Sequence, residues 1–204
     1  MAGCSTVTPE APPGDEQIRE ALRVLLGNAH RSDAQTVILE ELGLLRGEVR
    51  VDLAVVNGVL HGYEIKSSRD TLRRLRSQVA IYGRVLDRAT LVVGARHLRQ
   101  AVSMLPEWWG VLVASPGSAG IELVTVRDEH DNPGRQARSL VELLWLEEAT
   151  ALLAERGDLR GARGKPRRVV WQRVCERYTL DEIAAVVRER LKARVARPES
   201  RASS

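Results

Sequence analysis

Apolar residues recur at helical spacing from Asp15 to about Ala29, through Ile18, Leu22, Leu25 and Leu26. A second helix is expected from Ser32, where Gln35 completes a capping box, to Gly43, with Val37, Ile38 and Leu42 as its apolar stripe. The period then falls from 3.6 to 2. Val49, Val51, Leu53 and Val55 alternate with Arg50, Asp52 and Ala54, Asn57-Gly58 marks a tight turn, and Val59, Tyr63 and Ile65 continue the alternation. A helix is expected from about Asp70, striped by Leu72, Leu75, Val79, Tyr82 and Leu86. A strand over Thr90 to Ala95, a short helix from His97 to Leu105, and strands near Gly110 to Ala114 and Ile121 to Val126 follow. A long helix is read over 138–155 with Val141, Leu144, Trp145, Leu152 and Leu153 inward. Two last helices, near 169–177 and 180–195, follow a basic linker over Gly161 to Arg168. The pattern reads as an α/β or α+β fold around a mixed sheet, with a C-terminal helical appendage.

Composition narrows the class. The 204 residues are 44% hydrophobic and 28% charged, which is globular rather than disordered. Disorder is expected only in the Pro-rich residues 1–14 and in 197–204, leaving a domain over 15–157 and a basic linker with helices over 158–196. No apolar run approaches the roughly 18 residues of a membrane span. Met1 to Ser5 has neither a basic n-region nor an apolar h-region, and two cysteines, Cys4 and Cys175, make no disulfide framework, so a cytoplasmic rather than a secreted setting is expected. Net charge is +4, but residues 156–204 carry 14 Lys/Arg against 6 Asp/Glu. A basic tail on an acidic body points either to a polyanion partner or to a solvated surface.

The chemistry concentrates on the hairpin. A two-residue Asn57-Gly58 loop would turn Glu64 and Lys66 onto the apolar side, so a three-residue loop is expected, with Asp52 opposite Gly62 and diagonal to Glu64. Arg50, Asp52, Gly62, Glu64 and Lys66 then share one face, and Gly62 leaves room between two carboxylates that a divalent metal can bridge. Lys66, one step along, is placed to hold a water or to stabilise phosphate charge beside such a metal.

Asp52 followed after eleven residues by Glu64-Ile65-Lys66, a preceding helix with a glutamate and a following helix with Gln78 and Tyr82 resemble the PD-(D/E)XK nuclease superfamily. The string from Arg50-Val51-Asp52 to Gly62-Tyr63-Glu64-Ile65-Lys66-Ser67, with Asp70-Thr71-Leu72, Arg74-Leu75, Pro106, Trp108-Trp109-Gly110 and Leu143-Leu144-Trp145, resembles an uncharacterised bacterial family within it. The superfamily's proline is absent, Val51 preceding Asp52. The resemblance implies a restriction-endonuclease-like αβββαβ core, although only two strands are evident before the helix. It implies Asp52 and Glu64 as ligands of Mg²⁺ or Mn²⁺, with Lys66 as the catalytic lysine. The early glutamate is Glu40 or Glu41, and Glu41 is preferred because it turns toward the core side after Val37 and Ile38. Gln78 and Arg74 would face the site, while Tyr82 reads as packing.

Each feature also has a plainer reading. A lone Glu-x-Lys pair on a strand is usually an exposed ion pair, and arginines 69, 73, 74 and 76 at a helix start are as often a solvated face as a DNA clamp. Trp108 and Trp109 read as packing and His61 as structural; no Gly-rich phosphate loop indicates a nucleotide cofactor. The expectation is a metal-dependent nuclease acting on DNA, with Glu41, Asp52, Glu64, Lys66 and Gln78 in the site and Arg69, Arg73, Arg74 and Gln78 on the nucleic acid. The alternative is a binding or regulatory module on the same fold. Oligomeric state is left open, a homodimer included.

Overall fold

The computed structural model describes residues 12–196 except 119, 161 and 163; residues 1–11 and 197–204, where disorder is expected, lie outside the described residues. Helix α1 (Asp15–Ala29) is followed by β1 (Val37–Leu44), β2 (Val49–Val56), β3 (Leu60–Lys66), α2 (Leu75–Val85) and β4 (Arg88–Gly94). Then come α3 (Leu98–Val102), β5 (Gly110–Gly117), β6 (Gly120–Arg127), α4 (Ala137–Leu140), α5 (Leu146–Glu155), α6 (Arg167–Arg177) and α7 (Leu180–Ala196). The six strands form one mixed α/β sheet in the order of the chain. Pairing is antiparallel except for β3–β4 and β4–β5, which α2 and α3 connect in parallel. The opening order is therefore α-β-β-β-α-β.

The strand that the hairpin reading lacked is β1, which stands where a helix was expected. Leu39 and Leu42 pack on one face of the sheet and Ile38 on the other. Glu41 between them adopts φ 51, so the two-residue alternation slips there. That slip produces the three- and four-residue apolar spacing that imitates a helix. The supposed cap serves a turn instead: Asp33 Oδ1 accepts the Gln35 N–H at 2.9 Å and Oδ2 the Thr36 hydroxyl at 2.6 Å.

Opposite Glu41, β2 slips too. The β1–β2 ladder pairs Glu40 with Leu53 and Leu42 with Val51 and passes over Glu41 and Asp52. Val51 accordingly joins the cluster of Ala54 and Val56, while Leu53 and Val55 join Tyr63, Ile65 and α1. The connection has three residues, as expected, but it is Asn57-Gly58-Val59, one residue later than a loop closing on a left-handed Gly58, and Gly58 is not left-handed. The register differs accordingly, Gly62 pairing with Ala54, not Asp52. Continued past Leu53–Tyr63, that register sets Asp52 across from Glu64.

Helix α1 covers one face of the sheet with Ile18, Leu22 and Leu26. The other face carries the larger core, which runs from Leu60 and Leu91 through Tyr82 and Trp109 to Trp171, Val174 and Ile183. The C-terminal helical appendage thus packs on the sheet's own core. Asp87 ties it down, pairing with Arg135 and, at 3.1 Å, with Arg188 of α7, while accepting the Leu60 N–H at 2.6 Å. The expected helix over 138–155 is broken: α4, a 3-10 turn over Val141–Leu143 and an extended Leu144-Trp145 precede α5. Trp145 faces outward, 40% exposed, with the Arg194 guanidinium 4.1 Å above its ring. Helix α2 starts at Leu75 rather than Asp70, because Asp70 turns back to accept the Ser67 N–H at 2.7 Å and hydroxyl at 3.0 Å.

Candidate active site

The ends of β2 and β3, the start of α2 and the β1–β2 connection enclose a cleft of about 440 Å³. Glu41, Asp52, Glu64, Lys66, Gln78 and Arg74, all expected in the site, line it. Its walls bring six carboxylates (Asp15, Glu41, Glu48, Asp52, Glu64, Asp70) against three cations (Arg50, Lys66, Arg74). The non-glycine residues in left-handed backbone among those described, Glu41, Leu45 and Arg46 at φ 51, 46 and 61, lie in β1 and its connection to β2. Such conformations cost of order 1–3 kcal/mol each and gather where the chain is held to a task.

Glu64 is the buried centre, 2% exposed. It can be buried because every oxygen is met: Lys66 Nζ and Gln78 Nε2 (2.5 Å) donate to Oε1, and the Tyr82 hydroxyl donates to Oε2. Burial pushes the Glu64 carboxyl above its usual 4.5, the nearby Lys66 charge opposes the shift, and the Asp52 charge adds to it. Burial, then the Glu64 charge, pushes the Tyr82 phenol up, so it stays a donor. Tyr82 was expected to pack only. It does pack, stacked on Trp109 with ring centroids 5.5 Å apart, but its hydroxyl also reaches the site and lies 3.1 Å from Arg50 O.

Asp52 is anchored differently. Its Oδ2 accepts the Ile65 N–H at 2.7 Å, standing in for the ladder where β2 slips. Its Oδ1 accepts from Arg19 at 2.9 Å, and Arg19 also lies 3.2 Å from Glu41 Oε1. Glu40, the other early acid, pairs with Arg23 at 2.8 Å. The preference for Glu41 therefore agrees with the cleft, although a kinked strand rather than a helix face presents it. Arg19 carries no sequence signal beyond a polar position on an amphipathic helix.

The residues able to hold a divalent cation are Asp52, Glu64 and Glu41. Gln78 Oε1, beside them, is buried without a partner, an omission that costs about 1–3 kcal/mol. Among the described residues no three His, Cys, Asp or Glu side chains already converge as a metal cage. The arginines expected on nucleic acid divide. Arg74 borders the cleft, Arg73 and Arg76 open on a neighbouring groove with Gln100 and Ser103, and Arg69 donates to Pro12 O at 3.4 Å. No helix of the described residues is long and apolar enough to cross a membrane.

Comparison with known proteins adds a family. Protein cII of Enterobacteria phage P4 is 27% identical over 96 residues, covering 47% of this chain and 36% of that protein. The chain thus spans about a third of the length of the curated relative it matches. No solved structure matches. The family model of bacteriophage P4 protein cII matches residues 16–201, which include every cleft residue except Asp15, and the chain belongs to that family.

Proposed function

We propose that the cleft is the site of a Mg²⁺- or Mn²⁺-dependent nuclease hydrolysing DNA phosphodiester bonds. One observation carries the reading: a buried glutamate held by Lys66, Gln78 and Tyr82 stands beside Asp52 in an acidic cleft, with arginines at its border. An acidic cleft repels phosphate, so a phosphodiester enters only with a cation. A divalent ion on Asp52 and Glu64, with Glu41 in support, would supply that neutralisation and acidify a bound water. Lys66 Nζ, held against Glu64 and 3.2 Å from Ile65 O, is positioned to assist the attacking water. Gln78 positions it, and Arg69, Arg73 and Arg74 contact phosphates. The α-β-β-β-α-β order supports the resemblance to the PD-(D/E)XK superfamily.

A second reading, a non-catalytic DNA-binding module, is favoured by one observation. All four carboxylate oxygens of Asp52 and Glu64 are already bonded to protein donors. The two separate on supercoiled plasmid incubated with Mn²⁺ or Mg²⁺, alongside gel-shift binding in chelator. The nuclease nicks the plasmid, and Glu64→Gln and Lys66→Ala abolish nicking while DNA binding persists. No nicking with salt-sensitive binding selects the binding module. Neither nicking nor binding at low salt overturns both.

A further inference from the structure

We infer that Arg19 is a built-in substitute cation: it occupies the cation position at Asp52 and Glu41 in the metal-free protein, and its departure sets the affinity for a divalent ion. The inference rests on the metal-binding reading above. Its guanidinium donates to Asp52 Oδ1 at 2.9 Å and to Asp52 O at 3.0 Å, and lies 3.2 Å from Glu41 Oε1. This is more than a surface pair. The side chains of Arg19 and Asp52 are 16% and 22% exposed, and Glu41, 48% exposed at the rim, meets Arg19 from a left-handed backbone that a glutamate adopts at a cost.

Arg19 is also the donor that can leave. Asp52 Oδ2 is held by the backbone N–H of Ile65, in a strand buried along its length, and Glu64 by buried Lys66 of β3 and by α2, through core-packed Tyr82 and partly buried Gln78. Arg19 reaches in from α1 on a long side chain. Asp15, four residues earlier on the same helix, lines the same cleft and gives the released guanidinium an acid at favourable i, i+4 spacing. Charge favours the exchange. Glu41, Asp52 and Glu64 face Arg19 and Lys66, one negative charge in excess. A divalent cation at Asp52 Oδ1 beside Arg19 would set two cations against one oxygen, whereas an ion that replaces Arg19 meets no such repulsion.

The test is Mn²⁺ affinity, read from the spin-resonance signal of free Mn²⁺, in the native chain, Arg19→Gln and Arg19→Lys. Arg19→Gln binds at least about tenfold tighter than native, equivalent to roughly 1.4 kcal/mol. Arg19→Lys, whose ammonium cannot span the same three oxygens, falls between and serves if the glutamine variant does not fold. Mn²⁺ also raises the melting temperature of Arg19→Gln more than that of the native chain. If the native chain binds Mn²⁺ and both variants bind it equally or more weakly, Arg19 is a structural tie. That result overturns the inference and leaves the metal site standing. If no chain binds Mn²⁺, alone or with a short DNA duplex, the metal reading falls and the inference with it.

Discussion

Replacing Tyr82 with Phe isolates the buried support of Glu64. The change removes one oxygen and leaves the ring stacked on Trp109, so no cavity opens. Tyr82 is fully buried, so water does not replace the lost donor. A hydrogen bond to a charged group contributes about 1.5–3 kcal/mol, against about 0.5–1.5 kcal/mol for a neutral one. The loss should therefore depend on pH. Glu64 sits above 4.5 in the fold, so the stability linked to its protonated form is present below pH 4.5 and lost as pH rises through the folded value. Losing the phenol, which lowers that value, raises it further. The native–variant gap is then about 1 kcal/mol below pH 4.5 and opens to about 2–3 kcal/mol above the variant's folded value. Urea unfolding followed by tryptophan fluorescence across pH 4 to 8 reads it directly. A gap that does not widen with pH, or that stays under about 0.5 kcal/mol, would refute the claim that this hydroxyl supports an ionised Glu64.

Three further outcomes are expected. Gly62→Ala places a Cβ 2.5 Å from Leu86 Cδ1 and 3.0 Å from Val51 Cγ1, so thermal melting should show a loss of about 1–3 kcal/mol. His61 is packed against Tyr63 and Thr90, and burial pushes it down to about 3 from 6.5. A depressed base favours the unfolded state as pH falls, so its linkage costs about 2 kcal/mol between pH 7 and pH 5, and His61→Gln should remove that slope in urea titrations. Asp87→Ala leaves Arg135 and Arg188 without their shared acid and Leu60 N–H without its acceptor. It should cost about 3–5 kcal/mol in one cooperative transition, since α7 and the sheet share a core; two separate transitions would contradict that.

The sequence showed most where one period ran undisturbed. The run over Thr90 to Ala95 became β4, and the helix expected near 180–195 became α7, which buries Ile183, Ala184, Val187 and Leu191. It misled where tertiary pairing bends the chain. The slips at Glu41 and Asp52 turn a strand's alternation into helical spacing, and a hairpin loop placed one residue later than expected, at Asn57-Gly58-Val59, moves the partner of Asp52 by two residues. The acid pair and Lys66 could be found because their spacing is local to one hairpin, and Gln78 only through the resemblance. Arg19 and the Tyr82 hydroxyl could not, because each reaches the cleft from an element placed only by packing. Trp145 shows the opposite error: an apolar residue at a core-like spacing is turned outward when the helix breaks at Leu144.

The central claim is that Asp52 and Glu64 together make a divalent-cation site, and calorimetric titration of Mn²⁺ tests it most directly. The native chain should bind the ion, and Asp52→Ala and Glu64→Ala, folded as judged by circular dichroism, should each lose it. Absence of binding to the native chain with and without a short DNA duplex, or binding unchanged in both variants, would contradict the account.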